Sequence, residues 1–191
     1  KDIKLIEDYD LIGELWIDRP ELPMDEIFIL DVKYAGKSPK EKLEEVREKM
    51  KKEDVDYYLI GSLDDIAWLY NIRGKDVESN PVVTSYALVS MNTACLFIHK
   101  NKVPKEVEKY LNENGIEIYE YDEVRKHVEK IDKNTRVYID PNRINRWLYN
   151  GIPEECEVVE GRDITTELKA VKNEVEIKNL KNAYIKDGVA L

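Results

Sequence analysis

From Ser38 to Val159, short runs rich in β-branched and aromatic residues alternate with helix-spaced stretches, and this alternation limits the fold more than any other feature. Ser38-Pro39-Lys40-Glu41 offers an N-cap serine, a proline at the first helical position and a glutamate to close a capping box. Leu43, Val46 and Met50 then recur at helical spacing, predicting an amphipathic helix to about Glu53 with Lys and Glu pairs on its wet side. Residues 57–60 read as a buried strand. Ser62 and Asp65 repeat the cap-and-acid pattern, and Leu63, Ile66, Ala67 and Tyr70 form an inward stripe that leaves Trp68 off it. Residues 82–91 and 93–98 read as a hairpin turning at Met91-Asn92. Helical spacing returns with Val107, Tyr110 and Leu111 and stops at Asn114-Gly115. A strand at 116–119 follows, then a helix capped by Asp122 that carries Val124, His127, Val128 and Ile131. A strand at 137–139, a short helix with Ile144, Trp147 and Leu148 closed by Asn150-Gly151, and a strand at 156–159 complete the order αβαββαβαβαβ. That order predicts an α/β fold: a mixed, largely parallel sheet with helices on both faces and one antiparallel hairpin.

The flanks differ. In residues 1–37, Ile6, Tyr9, Ile12, Leu15 and Trp16 suit one stripe of a short helix, with Trp16 as a packing anchor, before Arg19-Pro20, Pro23 and Tyr34-Ala35-Gly36 break the pattern. At the other end Asn173-Glu174-Val175-Glu176 caps a helix whose Ile177, Leu180, Tyr184 and Leu191 share one face. The chain opens on Lys1 and stops within this helical pattern, which reads as a piece of a longer protein.

Composition excludes several partners. A formal charge of −10, from 40 acids against 30 bases, repels a nucleic-acid backbone or an anionic membrane. No apolar run approaches the ~20 residues of a membrane span, and no signal-peptide pattern is present. Cys95 and Cys156 read as reduced, buried thiols of a cytoplasmic protein. His99 and His127 show no metal-ligand spacing, and His127 falls near a buried stripe, as a structural histidine would. Asp64-Asp65 are adjacent helical carboxylates that point about 100° apart; capping and solvation account for them, with no shared ion expected. No catalytic constellation emerges.

Several runs carry a resemblance. Tyr9-Asp10-Leu11-Ile12 through Trp16-Ile17-Asp18-Arg19-Pro20, and Leu30-Asp31-Val32-Lys33-Tyr34-Ala35-Gly36, are similar to the interdomain connector of three-domain Xaa-Pro aminopeptidases (aminopeptidase P). Ser62-Leu63-Asp64-Asp65-Ile66-Ala67-Trp68-Leu69-Tyr70-Asn71-Ile72-Arg73-Gly74, with Asn80-Pro81-Val82, resembles the most recognisable run of that family's second domain. Residues 168–173 and 182–191 resemble the opening helix of its catalytic domain, while 104–160 matches mainly in pattern. The resemblance implies a connector at 1–37, the creatinase-type N-terminal domain at 38–165 and the start of a pita-bread catalytic domain at 166–191.

It further implies an intact metallopeptidase that releases the N-terminal residue from peptides with proline second. Two divalent metals, usually manganese, would be held by two Asp, one His and two Glu beyond Leu191. This chain alone is then expected to be inactive, with no cofactor, catalytic residue or metal ligand of its own. Its partners would be its own catalytic and first domains and the peptide, and the intact enzyme could be a homodimer. The loop from Arg73-Gly74 to Asn80-Pro81 is expected to face the catalytic cleft. Arg73 would hold a substrate carbonyl or carboxylate, and Trp68 or Tyr86 would wall a pocket. Two other roles for Arg73 stay open: capping the helix that ends at Tyr70, or bridging two domains. Two other functions also stay open, a standalone interaction module of this fold and the N-domain of a prolidase or creatinase-like hydrolase. The connector weighs against the last.

Overall fold

The computed structural model describes residues 9–190; Ile6 and Leu191, on the two predicted stripes, lie outside them. Ahead of the main domain stand α1 (Leu11–Leu15), β1 (Phe28–Ile29) and α2 (Val32–Ala35). Tyr9, Ile12, Leu15 and Trp16 are all exposed, so Trp16 anchors no packing among the described residues. Its contact is a stacked cation, with the Arg19 guanidinium 5.9 Å from the ring centre.

α3 (Pro39–Lys52) starts as its sequence dictates: Ser38 Oγ accepts from the Glu41 N–H, and the Glu41 carboxylate accepts from the Ser38 N–H. The order continues with β2 (Tyr57–Ile60), α4 (Leu63–Tyr70), β3 (Ile72–Arg73), β4 (Tyr86–Ser90), β5 (Ala94–Phe97), α5 (Lys105–Glu113), β6 (Glu117–Tyr119), α6 (Val124–Val128), β7 (Arg136–Ile139), α7 (Arg146–Tyr149), β8 (Glu157–Glu160), α8 (Ile164–Ala170) and α9 (Glu174–Ala190). The six-stranded sheet runs β6-β5-β4-β2-β7-β8. β4 is antiparallel to both of its neighbours, while the pairs β2–β7, β5–β6 and β7–β8 are parallel. The expected hairpin is β4–β5, and the antiparallel β2–β4 pair adds to it.

Strand alternation sorts side chains between two cores. Ala87 and Val89 join Leu43, Val46, Met50, Ile66, Leu69, Val107 and Leu111 on the face of α3, α4 and α5. Leu88 and Cys95 join Val124, Val128 and Leu148 on the face of α6 and α7. Burying that much aliphatic surface, at about 25 cal/mol per Å², is what holds the layers together.

Three local expectations are corrected. Residues 82–85 are not strand; the segment is held by the buried ion pair Lys102–Asp76, whose Asp76 Oδ2 also accepts from the Thr84 N–H. Asp122 does not cap: a 3-10 turn, Tyr121–Glu123, precedes α6, and Glu120 and Glu123 form the capping box. Cys95 is buried but Cys156 only half so, and both are free thiols. α9 starts at the predicted cap, where Asn173 Oδ1 accepts from the Glu176 N–H at 2.9 Å. No α9 residue is buried, and Ile177, Leu180 and Tyr184 are exposed.

Candidate functional site: the Trp68–Arg73 cleft

α4 ends on a residue chosen for its backbone. Asn71 takes the left-handed conformation (φ 52°), which asparagine tolerates, and turns the chain into β3. Its buried side chain ties the turn down: Nδ2 donates to Lys37 O at 2.8 Å, and its backbone carbonyl accepts from the Leu30 N–H at 2.7 Å. β1 then pairs with β3, placing Arg73 opposite Phe28.

Lys42 completes this junction. It is 1% exposed, and its Nζ donates to Trp68 O at 2.7 Å and Asn71 Oδ1 at 2.6 Å, 4.5 Å from the Trp68 ring centre. Burial pulls its ammonium down to about 8. Sequence patterning puts Lys and Glu pairs on the wet side of α3. The signal that Lys42 differs is its spacing, three after Pro39 and four before Val46, which places it on the buried stripe.

Arg73 is half-buried, and burial lowers its pKa. Nη1 donates to Ala67 O at 2.7 Å and Ile72 O at 2.9 Å, so the capping role left open by the sequence is present. No described residue accepts from Nε or Nη2. Gly74 follows because a Cβ there would lie 2.9 Å from Val82 O.

At the start of α4 the solvated reading holds for Asp64, which is exposed, and fails for Asp65. Ser62 Oγ donates to Asp64 Oδ1 instead of capping. Asp65 is fully buried, accepts from Thr166 Oγ1 at 2.7 Å and lies 3.0 Å from Lys169 Nζ, which also pairs with Asp64. One ammonium from α8 therefore serves both carboxylates, because its long arm reaches between the two directions in which they point.

These residues frame a cleft in two compartments of about 330 Å³ each. The first lies among Leu30, Tyr34, Lys42 and Leu180; the second reaches Asn80, Pro81 and Val82; Trp68, Arg73, Lys172 and Glu176 line both. The structure thus brings together Arg73, Trp68 and the Asn80-Pro81 loop. It does not bring Tyr86 to them. Tyr86 is in phase with Leu88 and faces the opposite core, stacked on Tyr121 at 5.4 Å and accepting from Asn145 Nδ2 at 2.8 Å. The α9 wall, with Glu176 and Leu180, has no local signal in the sequence that ties it to this site. Asn173 fixes it by donating from Nδ2 to Ala35 O at 2.9 Å.

His127 packs against Phe97 and Tyr119, with ring centres 5.1 and 4.2 Å away, and burial lowers its pKa. Among the described residues no three His, Cys, Asp or Glu side chains group to hold a metal ion, so the donor set for two divalent metals does not fit here. No helix of the described residues is long and apolar enough to cross a membrane.

The family described as the Creatinase/Prolidase N-terminal domain matches residues 18–176. Xaa-Pro aminopeptidase 1 of Dictyostelium discoideum is 39% identical over 198 residues, covering 100% of this chain and 31% of that protein. A probable Xaa-Pro aminopeptidase P of Sordaria macrospora is 36% identical over 193 residues, covering 95% and 31%. The crystal structure of the X-prolyl aminopeptidase of Caenorhabditis elegans, described as a cytosolic enzyme with a di-nuclear active site, matches with a TM-score of 0.85 at 30% identity, covering 91% of this chain and 29% of that one. The Xaa-Pro dipeptidase of Bacillus anthracis, at 21% identity and a TM-score of 0.55, shares the fold. The chain spans just under a third of the length of these curated aminopeptidases. With the match covering most of its length and the two-sided mixed sheet in place, the chain belongs to the Creatinase/Prolidase N-terminal domain family.

Proposed function

We propose that this chain is a non-catalytic domain of an Xaa-Pro aminopeptidase, a cytoplasmic metallopeptidase that releases the first residue of peptides with proline second. Residues 1–37 serve as the connector from a preceding domain, 38–165 as the creatinase-type module, and 166–191 as the entry into a catalytic domain. That catalytic domain supplies the two divalent metals, manganese in our reading, which activate water and polarise the scissile carbonyl. The observation that carries this reading is the alignment of the Dictyostelium and Sordaria aminopeptidases along at least 95% of the chain.

Within that enzyme the Trp68–Arg73 cleft shapes substrate access. Arg73 is braced through Nη1, which leaves the rest of its planar fork for a substrate carbonyl or carboxylate. Loops held by a rigid scaffold are where such contacts sit, and the Asn80-Pro81 loop lines the same cleft. The experiment is a peptidase assay. The chain alone should release nothing from an Xaa-Pro peptide with manganese present, and the longer gene product should. Release by the chain alone would overturn the reading.

A further inference from the structure

Four charged side chains line the cleft without an ion pair among the described residues; Lys42 Nζ donates to Trp68 O and Asn71 Oδ1, Lys172 Nζ donates to Lys169 O, and Arg73 and Glu176 remain. Arg73, from β3, and Glu176, from α9, line both compartments, yet among the described residues neither forms an ion pair. Each has one end committed to the scaffold. Arg73 Nη1 donates to backbone carbonyls, and Glu176 Oε2 accepts from the Asn173 N–H at 2.9 Å. Arg73 Nε and Nη2 and Glu176 Oε1 have no partner among the described residues. Lys42 lines the first compartment with them, so all three groups border one space. Beside them lies an apolar wall of Leu30, Tyr34, Leu180 and Ala183. A volume of about 330 Å³ sits at the small end of ligand pockets, which run roughly 300–1,000 Å³.

A ligand that satisfies such a site carries one anion, one cation and a short apolar body. We propose that the cleft binds the zwitterion of a free α-amino acid with an apolar side chain. Its carboxylate meets the Nε–Nη2 edge of Arg73, its ammonium meets Glu176, and its side chain lies on the Leu30–Tyr34–Leu180 wall. This deepens the access reading, on which it rests for location, because a free amino acid is what the proposed reaction releases. Binding itself needs no catalysis.

The test is calorimetric titration of this chain with L-phenylalanine, N-acetyl-L-phenylalanine and L-phenylalaninamide. The two analogues lose the ammonium and the carboxylate respectively, and each leaves one charged wall unpaired. Phenylalanine should bind with a Kd of about 1 mM or tighter, and each analogue at least about tenfold more weakly. Glu176→Gln keeps an oxygen for the Asn173 N–H, so α9 stays capped; it should weaken phenylalanine about tenfold and erase its advantage over the N-acetyl form. Equal binding of the three ligands, unchanged affinity in Glu176→Gln, or no binding up to about 10 mM would each overturn the proposal. A longer gene product without peptidase activity would refute the functional reading and leave a positive titration standing.

Discussion

Replacing Asp163 by asparagine should stabilise the protein at neutral pH and do nothing at pH 4. Asp163 is 1% exposed at the start of α8. Its Oδ1 accepts from Tyr58 Oη at 2.8 Å, while Oδ2 is buried without a partner. Burial pushes its carboxyl up to about 6 from an ordinary 3.8, and the neighbouring Asp65 and Asp140 push the same way against the Tyr58 hydrogen bond and Arg143. A shift of about 2 units at 1.36 kcal/mol each amounts to about 3 kcal/mol. The folded state holds this proton more tightly than the unfolded chain does. Its stabilising contribution is therefore complete below about pH 4 and is lost as pH rises through about 6. Asparagine keeps an acceptor for the Tyr58 hydroxyl and never ionises. Urea unfolding at pH 7.5 should find Asp163→Asn more stable than wild type by about 3 kcal/mol, with the gap closing toward pH 4. A gap that does not change with pH, or a variant less stable at pH 7.5, would refute the reasoning.

Lys42 should give the opposite slope: its ammonium is held down to about 8 from 10.5, so stability should climb between pH 8 and 10.5, and Lys42→Met should flatten that climb in the same assay. Lys102→Met leaves the buried Asp76 carboxylate without its partner and should cost about 3–5 kcal/mol in urea unfolding. Gly74→Ala drives a methyl to 2.9 Å from Val82 O and should cost about 1–3 kcal/mol, read as a lowered Tm.

The layer architecture was legible because its signals are local. The Ser38–Glu41 and Asn173–Glu176 boxes and the left-handed Gly115 after α5 sit where the chain's own chemistry puts them. The polar interior was not legible. Lys42, Asp65 and Asp163 look like surface residues until Asn71, Lys169 and Tyr58, all distant in sequence, reach them. β1 and β3 have two residues each, too few to show a period. The resemblance sets Tyr86 beside Trp68 and Arg73, but the fold separates them. Parity along β4 sets Tyr86 with Leu88, but parity does not say which face α4 covers. The cleft's second wall comes from α9, about a hundred residues after α4, and no local pattern joins the two.

The most direct test is kcat/KM on Xaa-Pro peptides of several lengths with manganese, comparing the longer gene product, its Arg73→Ala variant and this chain alone. The account predicts activity in the first, a raised KM or lowered kcat/KM in the second, and none in the third. Identical kinetics for the first two at every peptide length, or turnover by this chain alone, would contradict it.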